Sequence, residues 1–146
     1  MERFPGSAKT STTVEFVDAN VFIYAHDRSA GRKHAVAAEL LARLWEQHSG
    51  AVSIQVLVEF YAATIKRGLK VRDAEAVISD LESWTLHRPD HADVIQSIEL
   101  LRRYKISWWD AQVVNSANEL GCAVLWTEDL NHGQRYGGVT VRNPFL

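Results

Sequence analysis

Residues 117–129 read Ala117-Asn118-Glu119-Leu120-Gly121-Cys122-Ala123-Val124-Leu125-Trp126-Thr127-Glu128-Asp129, and the stretch changes character at its glycine. The residues before it continue a helix predicted from Trp108 to Leu120, which Gly121 stops. After it, Cys122 to Thr127 reads as a short strand, with Asp129 just past its end. The same alternation runs outward along the chain. Val14 to Val17 opens a β-branched strand. From Arg32 to Gln47, Ala35, Ala38, Leu41, Leu44 and Trp45 recur at helical spacing, and Gly50 follows as a stop. Ala51 to Ile54 is a second strand, running into a helix from Gln55 to Arg67 that ends at Gly68. A helix over Val71–Ser83 leads to a strand over Trp84–Arg88, before Pro89. Asp90 caps a helix through Tyr104, with Val94, Ile95, Ile98 and Leu101 expected to face inward. Val139 to Arg142 offers a last strand. Four to five short strands separated by helices predict an α/β fold, with a central, mainly parallel sheet and helices on both faces.

The chain has 146 residues, 47% of them hydrophobic, enough for one core, since a domain of this size buries about two-thirds of its unfolded surface. Residues 1–13 form a polar tail with Pro5, Gly6 and a Ser/Thr-rich run, and 14–146 are expected to make a single domain. With 16 basic and 18 acidic residues, no global positive field advertises a nucleic-acid partner. The single cysteine, Cys122, excludes an intramolecular disulfide and a cysteine-rich zinc site. It reads as a small buried apolar residue in a reducing compartment. No signal peptide and no apolar run of membrane-spanning length is visible, so the reading is a cytoplasmic protein with no membrane partner.

The informative residues are carboxylates standing where the pattern calls for apolar groups. Val56, Glu59, Phe60 and Ala63 lie at i, i+3, i+4 and i+7, which puts Glu59 within the apolar stripe of its helix. Asp110 has Val113, Val114 and Ala117 as its companions in the same way. An ionised carboxylate on such a face costs several kcal/mol, roughly, unless it is paired or holds a metal. Asp18 and Asp129 follow the C-terminal ends of two predicted strands, where open parallel sheets bind ligands. The four acids can converge on one crevice. With no cysteine or paired-histidine spacing nearby, an all-oxygen site for Mg²⁺ or Mn²⁺ fits better than zinc, and phosphodiester chemistry is its natural use.

Each acid also has a plainer reading. Ser107 and Asp110 form an S-x-x-D spacing, so Asp110 can serve as a helix-capping residue. Asp18 and Asp129 can each be an N-cap or turn residue. Lys66 and Arg67 lie beyond the i+3 or i+4 reach at which they would pair with Glu59. The joint placement of the four favours the shared site.

The motifs that carry these acids resemble the PIN domain, in particular its VapC toxin branch. Phe16-Val17-Asp18-Ala19-Asn20-Val21-Phe22-Ile23-Tyr24-Ala25 is similar to the family's opening V-D-x-N motif, and Glu59 in Val56-Leu57-Val58-Glu59-Phe60 matches its helical glutamate. Ile106-Ser107-Trp108-Trp109-Asp110-Ala111 and Leu125-Trp126-Thr127-Glu128-Asp129-Leu130 resemble the third and fourth acidic motifs. Asn131-His132-Gly133 and Asn143-Pro144-Phe145 are similar to the branch's closing segment. The resemblance implies an α/β/α sandwich and a metal-dependent endoribonuclease that hydrolyses RNA with metal-activated water. It also implies homodimerisation and inhibition by a VapB-like antitoxin. Asp18, Glu59, Asp110 and Asp129 would then be metal-binding acids, oriented by Asn20 and Thr127.

Around this site, Trp108 and Trp109 can stack on bases, although core packing is the expectation for Trp109. Arg28, Arg32, Lys33, Arg67, Lys70, Arg72, Arg102, Arg103 and Lys105 can border the crevice and meet an RNA backbone. His132 reads as a turn residue. The alternatives are a non-catalytic PIN-fold binding module and an aspartate-dependent phosphatase. The phosphatase would want a second aspartate two residues after Asp18, where this chain has Asn20.

Overall fold

The computed structural model describes residues 13–146, and a six-stranded sheet runs through them. Its strands are β1 (Glu15–Val17), β2 (Gly50–Ser53), β3 (Thr85–His87), β4 (Val124–Trp126), β5 (Arg135–Tyr136) and β6 (Val139–Arg142). They lie in the order β3-β2-β1-β4-β6-β5, parallel throughout except for the β5–β6 pair at one edge. The helices are α1 (Ala19–Ala25), α2 (Arg32–Gln47), α3 (Ile54–Lys66), α4 (Val71–Asp80), α5 (His91–Tyr104) and α6 (Trp108–Glu119). Helix α1 packs with α2 and α3, and α3 carries α4; on the other side α5 lies along α6, which meets β2, β4 and β6. This is the α/β sandwich that the alternation predicts, with one strand beyond the four to five expected. Of the tail expected over 1–13, all but Thr13 lies outside the described residues. Among the described residues no helix is long and apolar enough to cross a membrane.

The differences have local causes. The added strand, β5, spans two residues and pairs with β6 across Gly137-Gly138. Gly137 has φ 67°, as a tight hairpin turn requires, and a side chain there would come within 2.8 Å of Asn118 Oδ1. Helix α1 escapes the periodic pattern because Val21-Phe22-Ile23-Tyr24 is a continuous apolar run whose period cannot be read. On α2 the buried stripe is Ala37, Leu40, Leu41 and Leu44, while Ala35, Ala38 and Trp45 are exposed.

Helix α5 is the main correction. Asp90 does cap it, in a reciprocal box in which Asp93 N–H donates to Asp90 Oδ1 at 3.2 Å and Asp90 N–H to Asp93 Oδ2 at 2.8 Å. The inward face, however, carries Asp93 and Ser97, while Val94, Ile95 and Ile98, expected inside, are exposed and Leu101 is half-buried. The cause is polar matching with α6 and β3. Asn115 Nδ2 donates to Asp93 Oδ1 at 2.8 Å, His87 Nε2 lies 3.2 Å from the same oxygen, and His87 Nδ1 meets Ser116 Oγ at 2.7 Å. Burial pushes the Asp93 carboxyl up, but the Asp90 N–H, the Asn115 amide and His87 together hold it below the usual carboxylate range. These groups satisfy one another only if α5 turns its polar side in.

The core is centred on Phe16, Val17, Leu125 and Val141 of the sheet, all fully buried, with Phe22, Phe60 and Trp84 clustered at one end. Phe22 lies 5.6 Å from Trp84 and 6.3 Å from Phe60, centroid to centroid. Cys122 is buried as expected, and burial, with Glu15 nearby, pushes its thiol up to about 12, leaving it unreactive. Gly50 permits the closest approach in this core, because a Cβ built on it would stand 2.5 Å from the Trp84 ring. Gly50→Ala should therefore lower stability by about 1–3 kcal/mol through overpacking. Urea unfolding checks this, and an unchanged midpoint would show that the ring can move aside at no cost.

Candidate metal centre

The sheet order places β1 next to β4, with Val17 opposite Trp126. The residues immediately after these strands therefore emerge side by side. Asp18 follows β1 and stands at the N-cap of α1, where its Oδ1 accepts from Ala19 N–H at 2.7 Å. The plainer capping reading of Asp18 thus accounts for one of its two oxygens. The other accepts from Thr127 Oγ1 at 2.8 Å and from Asn20 Nδ2 at 3.4 Å. Thr127 Oγ1 in turn accepts from Asp129 N–H at 3.1 Å and from Asn20 Nδ2 at 3.2 Å, while Asn20 Nδ2 reaches Asp129 Oδ2 at 3.1 Å. Asn20 and Thr127 thereby tie the two strand-end acids together.

The helical acids come from opposite sides of the sheet's C-terminal edge. Asp110 is in the first turn of α6, whose cap is made by Ser107 Oγ accepting from Asp110 N–H at 3.1 Å. Ser107 and not the Asp110 carboxylate caps the helix, so the acid is left for the crevice. Carboxylate oxygens of Asp18, Asp110 and Asp129 all lie within 4.8 Å of one another. Glu59 lies outside this tight group but lines the same crevice of about 220 Å³, with Asp18, Asn20, Ile23, Trp109, Asp110 and Asp129. Gln55 Nε2 donates to Glu59 Oε2 at 3.3 Å and also to the Trp109 carbonyl at 3.3 Å. Sequence reasoning passed over Gln55, although its i, i+4 spacing to Glu59 was a usable signal.

Burial pushes the Asp18 carboxyl up to about 7, against the pull of the Thr127 hydroxyl and Ala19 N–H, and the charges of Asp129 and Glu59 add to the rise. Glu59 is raised by burial, opposed by its bond from Gln55 and reinforced by Asp110 and Asp129. Asp110 is raised by burial too, opposed by Ser107 and reinforced by Asp129. Among the described residues no basic side chain forms an ion pair with any of the four. Charge balance therefore calls for a cation. The donor set suits a hard divalent ion: it is all oxygen, and the buried Oδ1 of Asn20 has no hydrogen-bond partner. A second grouping, His87, Asp93 and Glu119, has the required proximity. There, however, His87 and Asp93 are already occupied by Ser116, Asn115 and Asp90.

The surrounding residues divide. Trp109, expected in the core, is 59% exposed, because as the residue before Asp110 it falls at the crevice lip; Trp108 is half-buried. Arg28 and Arg67 line a neighbouring pocket that shares Ile23 with the crevice, and Lys105 lines another that shares Asp110 and Asp129. Several cations are already engaged: Arg67 pairs with Asp27 at 2.7 Å and Lys33 with Glu128 at 2.8 Å, Arg32 donates to the Phe145 carbonyl at 2.7 Å, and Arg103 lies over the Tyr104 ring. Lys70, Arg72 and Arg102 line none of these three pockets. His132 accepts from Asn143 N–H at 3.0 Å, a loop-holding role in line with the turn reading.

The sequence matches the PIN domain over residues 16–137, and the chain belongs to that family. Among curated proteins none matches the sequence. Solved structures share the fold. One is VapC20 of Mycobacterium tuberculosis, described as a Sarcin-Ricin loop cleaving toxin: TM-score 0.61, 20% identity, 75% of this chain and 85% of that one covered. Another is a toxin–antitoxin complex from Klebsiella pneumoniae: TM-score 0.64, 19% identity, 89% and 97% covered. A third is VapBC2 of Rickettsia felis, bound to a DNA fragment from its promoter: TM-score 0.62, 16% identity, 89% and 98% covered.

The raised carboxyls make a pH prediction for the metal-free protein. A group whose folded pKa lies above its unfolded value stabilises below the unfolded value, and that contribution is lost as pH rises through the folded one. For Asp18 the window runs from 3.8 to about 7. In chelator, stability should fall as pH rises across this window, and Asp18→Asn should remove much of the fall. Glu59→Gln and Asp110→Asn should leave the metal-free fold equally or more stable at neutral pH. Thermal melts at several pH values test this; a large loss of stability in Asp110→Asn would return that acid to a structural role.

Proposed function

We propose that residues 14–146 form a divalent-cation-dependent endoribonuclease, the toxin of a toxin–antitoxin pair. The observation that carries this reading is the gathering of Asp18, Asp110 and Asp129 oxygens within 4.8 Å, without a basic partner among the described residues. These three, with Glu59 beside them, would hold Mg²⁺ or Mn²⁺. When bound, such an ion neutralises the scissile phosphate, acidifies the attacking water and stabilises the leaving oxygen. Asn20 and Thr127 fix the orientations of Asp18 and Asp129. Glu59, held through Oε2 by Gln55, is the carboxylate we assign to receive the proton released by the attacking water. Arg28 and Lys105, in the pockets that adjoin the crevice, would meet the RNA backbone.

The fold's neighbours, toxins and toxin–antitoxin complexes, favour a small VapB-like antitoxin as partner, and we assign the protein's action to the cytoplasm. The exposed apolar face of α5, with Val94, Ile95 and Ile98 at 45%, 57% and 37% exposure, is the surface we assign to homodimerisation. Ile95→Lys should convert a sedimenting dimer to monomer without loss of fold, and a wild-type protein that sediments as monomer would overturn the assignment.

Purified protein should cut RNA only with Mg²⁺ or Mn²⁺, EDTA should abolish the cut, and the products should carry 5′-phosphate and 3′-hydroxyl ends. Asp18→Asn, Asp110→Asn and Asp129→Asn should each reduce the rate about 100-fold or more. Cyclic-phosphate ends, or full activity in EDTA, would exclude this chemistry. A failure to cut any of a broad RNA panel, tRNA and rRNA fragments included, would favour a binding module.

A further inference from the structure

Glu128 stands between two residues of the site, Thr127 and Asp129, yet it does not line the crevice and, unlike the four acids there, it has a basic partner. Lys33 Nζ reaches Glu128 Oε1 at 2.8 Å, and Tyr24 OH donates to Glu128 Oε2 at 2.7 Å. Both oxygens of this carboxylate are therefore held. A lone ion pair in water fixes little, but this one has a support behind it. The Lys33 ammonium lies 4.8 Å from the centre of the Tyr24 ring and 5.5 Å from that of Phe145, and the two rings meet edge to face at 5.2 Å. Rings beside a cation confine it and displace part of its water, which strengthens its hold on Glu128.

The closing segment of the chain delivers the second ring. Arg32, beside Lys33 in the first turn of α2, donates to the Phe145 carbonyl at 2.7 Å. Phe145 N–H donates to Asn143 Oδ1 at 2.9 Å, and His132 Nδ1 accepts from Asn143 N–H at 3.0 Å. Phe145 is buried in consequence, while Leu146 after it is exposed. Of the four acids, Asp129 gains most from such a support. Glu59 and Asp110 are carried by helices and Asp18 by a strand end and a helix cap, whereas Asp129 is exposed, in the turn that follows β4. Thr127 and Asn20 hold it through its N–H and its Oδ2. Those bonds fix the two ends of the Thr127–Asp129 segment, and the anchored side chain of Glu128 fixes its middle.

We propose that Lys33, with the rings of Tyr24 and Phe145, forms a clamp on Glu128 that positions Asp129 for the ion, which makes Lys33 a positioning residue although it pairs with none of the four acids. This rests on the reading of those acids as an ion site and deepens it. The sign of the effect separates positioning from plain electrostatics. Lys33 is a positive charge near a cation site, so by Coulomb's law alone its removal should tighten ion binding. Positioning requires the reverse.

The test uses the full chain, with Mn²⁺ as the probe in calorimetric titrations without RNA. Lys33→Met, which keeps the stem and removes the charge, should weaken Mn²⁺ binding about tenfold, whereas Lys33→Arg should stay within about twofold of wild type. Glu128→Ala should weaken it by a similar factor, and the double variant no further, because either change alone opens the clamp. Phe145→Leu, which removes the ring and keeps an apolar side chain, should lose about threefold, and Leu146→Ser nothing. In metal-free protein Lys33→Met should speed amide exchange over Glu128–Leu130 and leave the melting temperature nearly unchanged, as the loss of a half-exposed pair does. Tighter or unchanged Mn²⁺ binding in Lys33→Met, or losses that add in the double variant, would overturn the clamp and leave the ion site intact. A wild type that binds no Mn²⁺ would remove the ion-site reading and with it the clamp's purpose; the exchange rates report on the clamp in either case.

Discussion

The hydrogen bond from Thr127 to Asp18, 2.8 Å long, joins the residues that follow two adjacent parallel strands. It satisfies one oxygen of a carboxylate that is 5% exposed, and it leaves Thr127 Oγ1 accepting from Asn20 and from the Asp129 backbone. A buried carboxylate without a cation beside it is tolerable only when its oxygens are hydrogen-bonded or when it takes up a proton. Asp18 uses both: it accepts three hydrogen bonds, and its carboxyl is still pushed up to about 7. The remaining acids assemble around this one.

Strand order makes that assembly possible. Because β1 and β4 are neighbours although about a hundred residues separate them in sequence, their C-terminal ends bring Asp18 and Asp129 into one crevice, as open parallel sheets do with their ligands. Helix α3 leaves β2 directly through the Ser53 cap and carries Glu59 one and a half turns in; α6 starts at the Ser107 cap and presents Asp110 in its first turn. Each acid is thus set by a cap or a strand end, not by a long loop. That arrangement suits groups whose mutual repulsion would push apart a pliable support.

Most of this was legible because charge on an apolar stripe is a local contradiction that a single sequence displays. Glu59 between Val56 and Phe60, and Asp110 ahead of Val113 and Val114, announce themselves in this way. What could not be read lies where the deciding partner is distant in the chain. Asp93 gives no hint that Asn115 and His87 will claim it, so the visible apolar residues of α5 were assigned inward when its polar side had the stronger claim. Trp109 departs in the same direction, since hydrophobicity predicts burial, whereas the residue beside Asp110 is 59% exposed. Helix α1 was hidden by continuous apolarity, and β5 by its length, although Gly137-Gly138 was a hairpin signal available in the sequence.

Burial is graded across the four acids: Asp18 is buried, Glu59 and Asp110 are half-buried, and Asp129 is exposed. With Asp18 titrating near neutrality in the metal-free state, the crevice there carries less than its formal charge, which relieves part of the repulsion that would otherwise oppose folding. If Asp18 holds a divalent ion as proposed, binding would require its ionised form, would release this proton, and would strengthen as pH rises across the same range. Folding and ion affinity would then be coupled at Asp18, and the Thr127 and Asn20 bonds that favour its ionised form would lessen the cost to the metal-free fold.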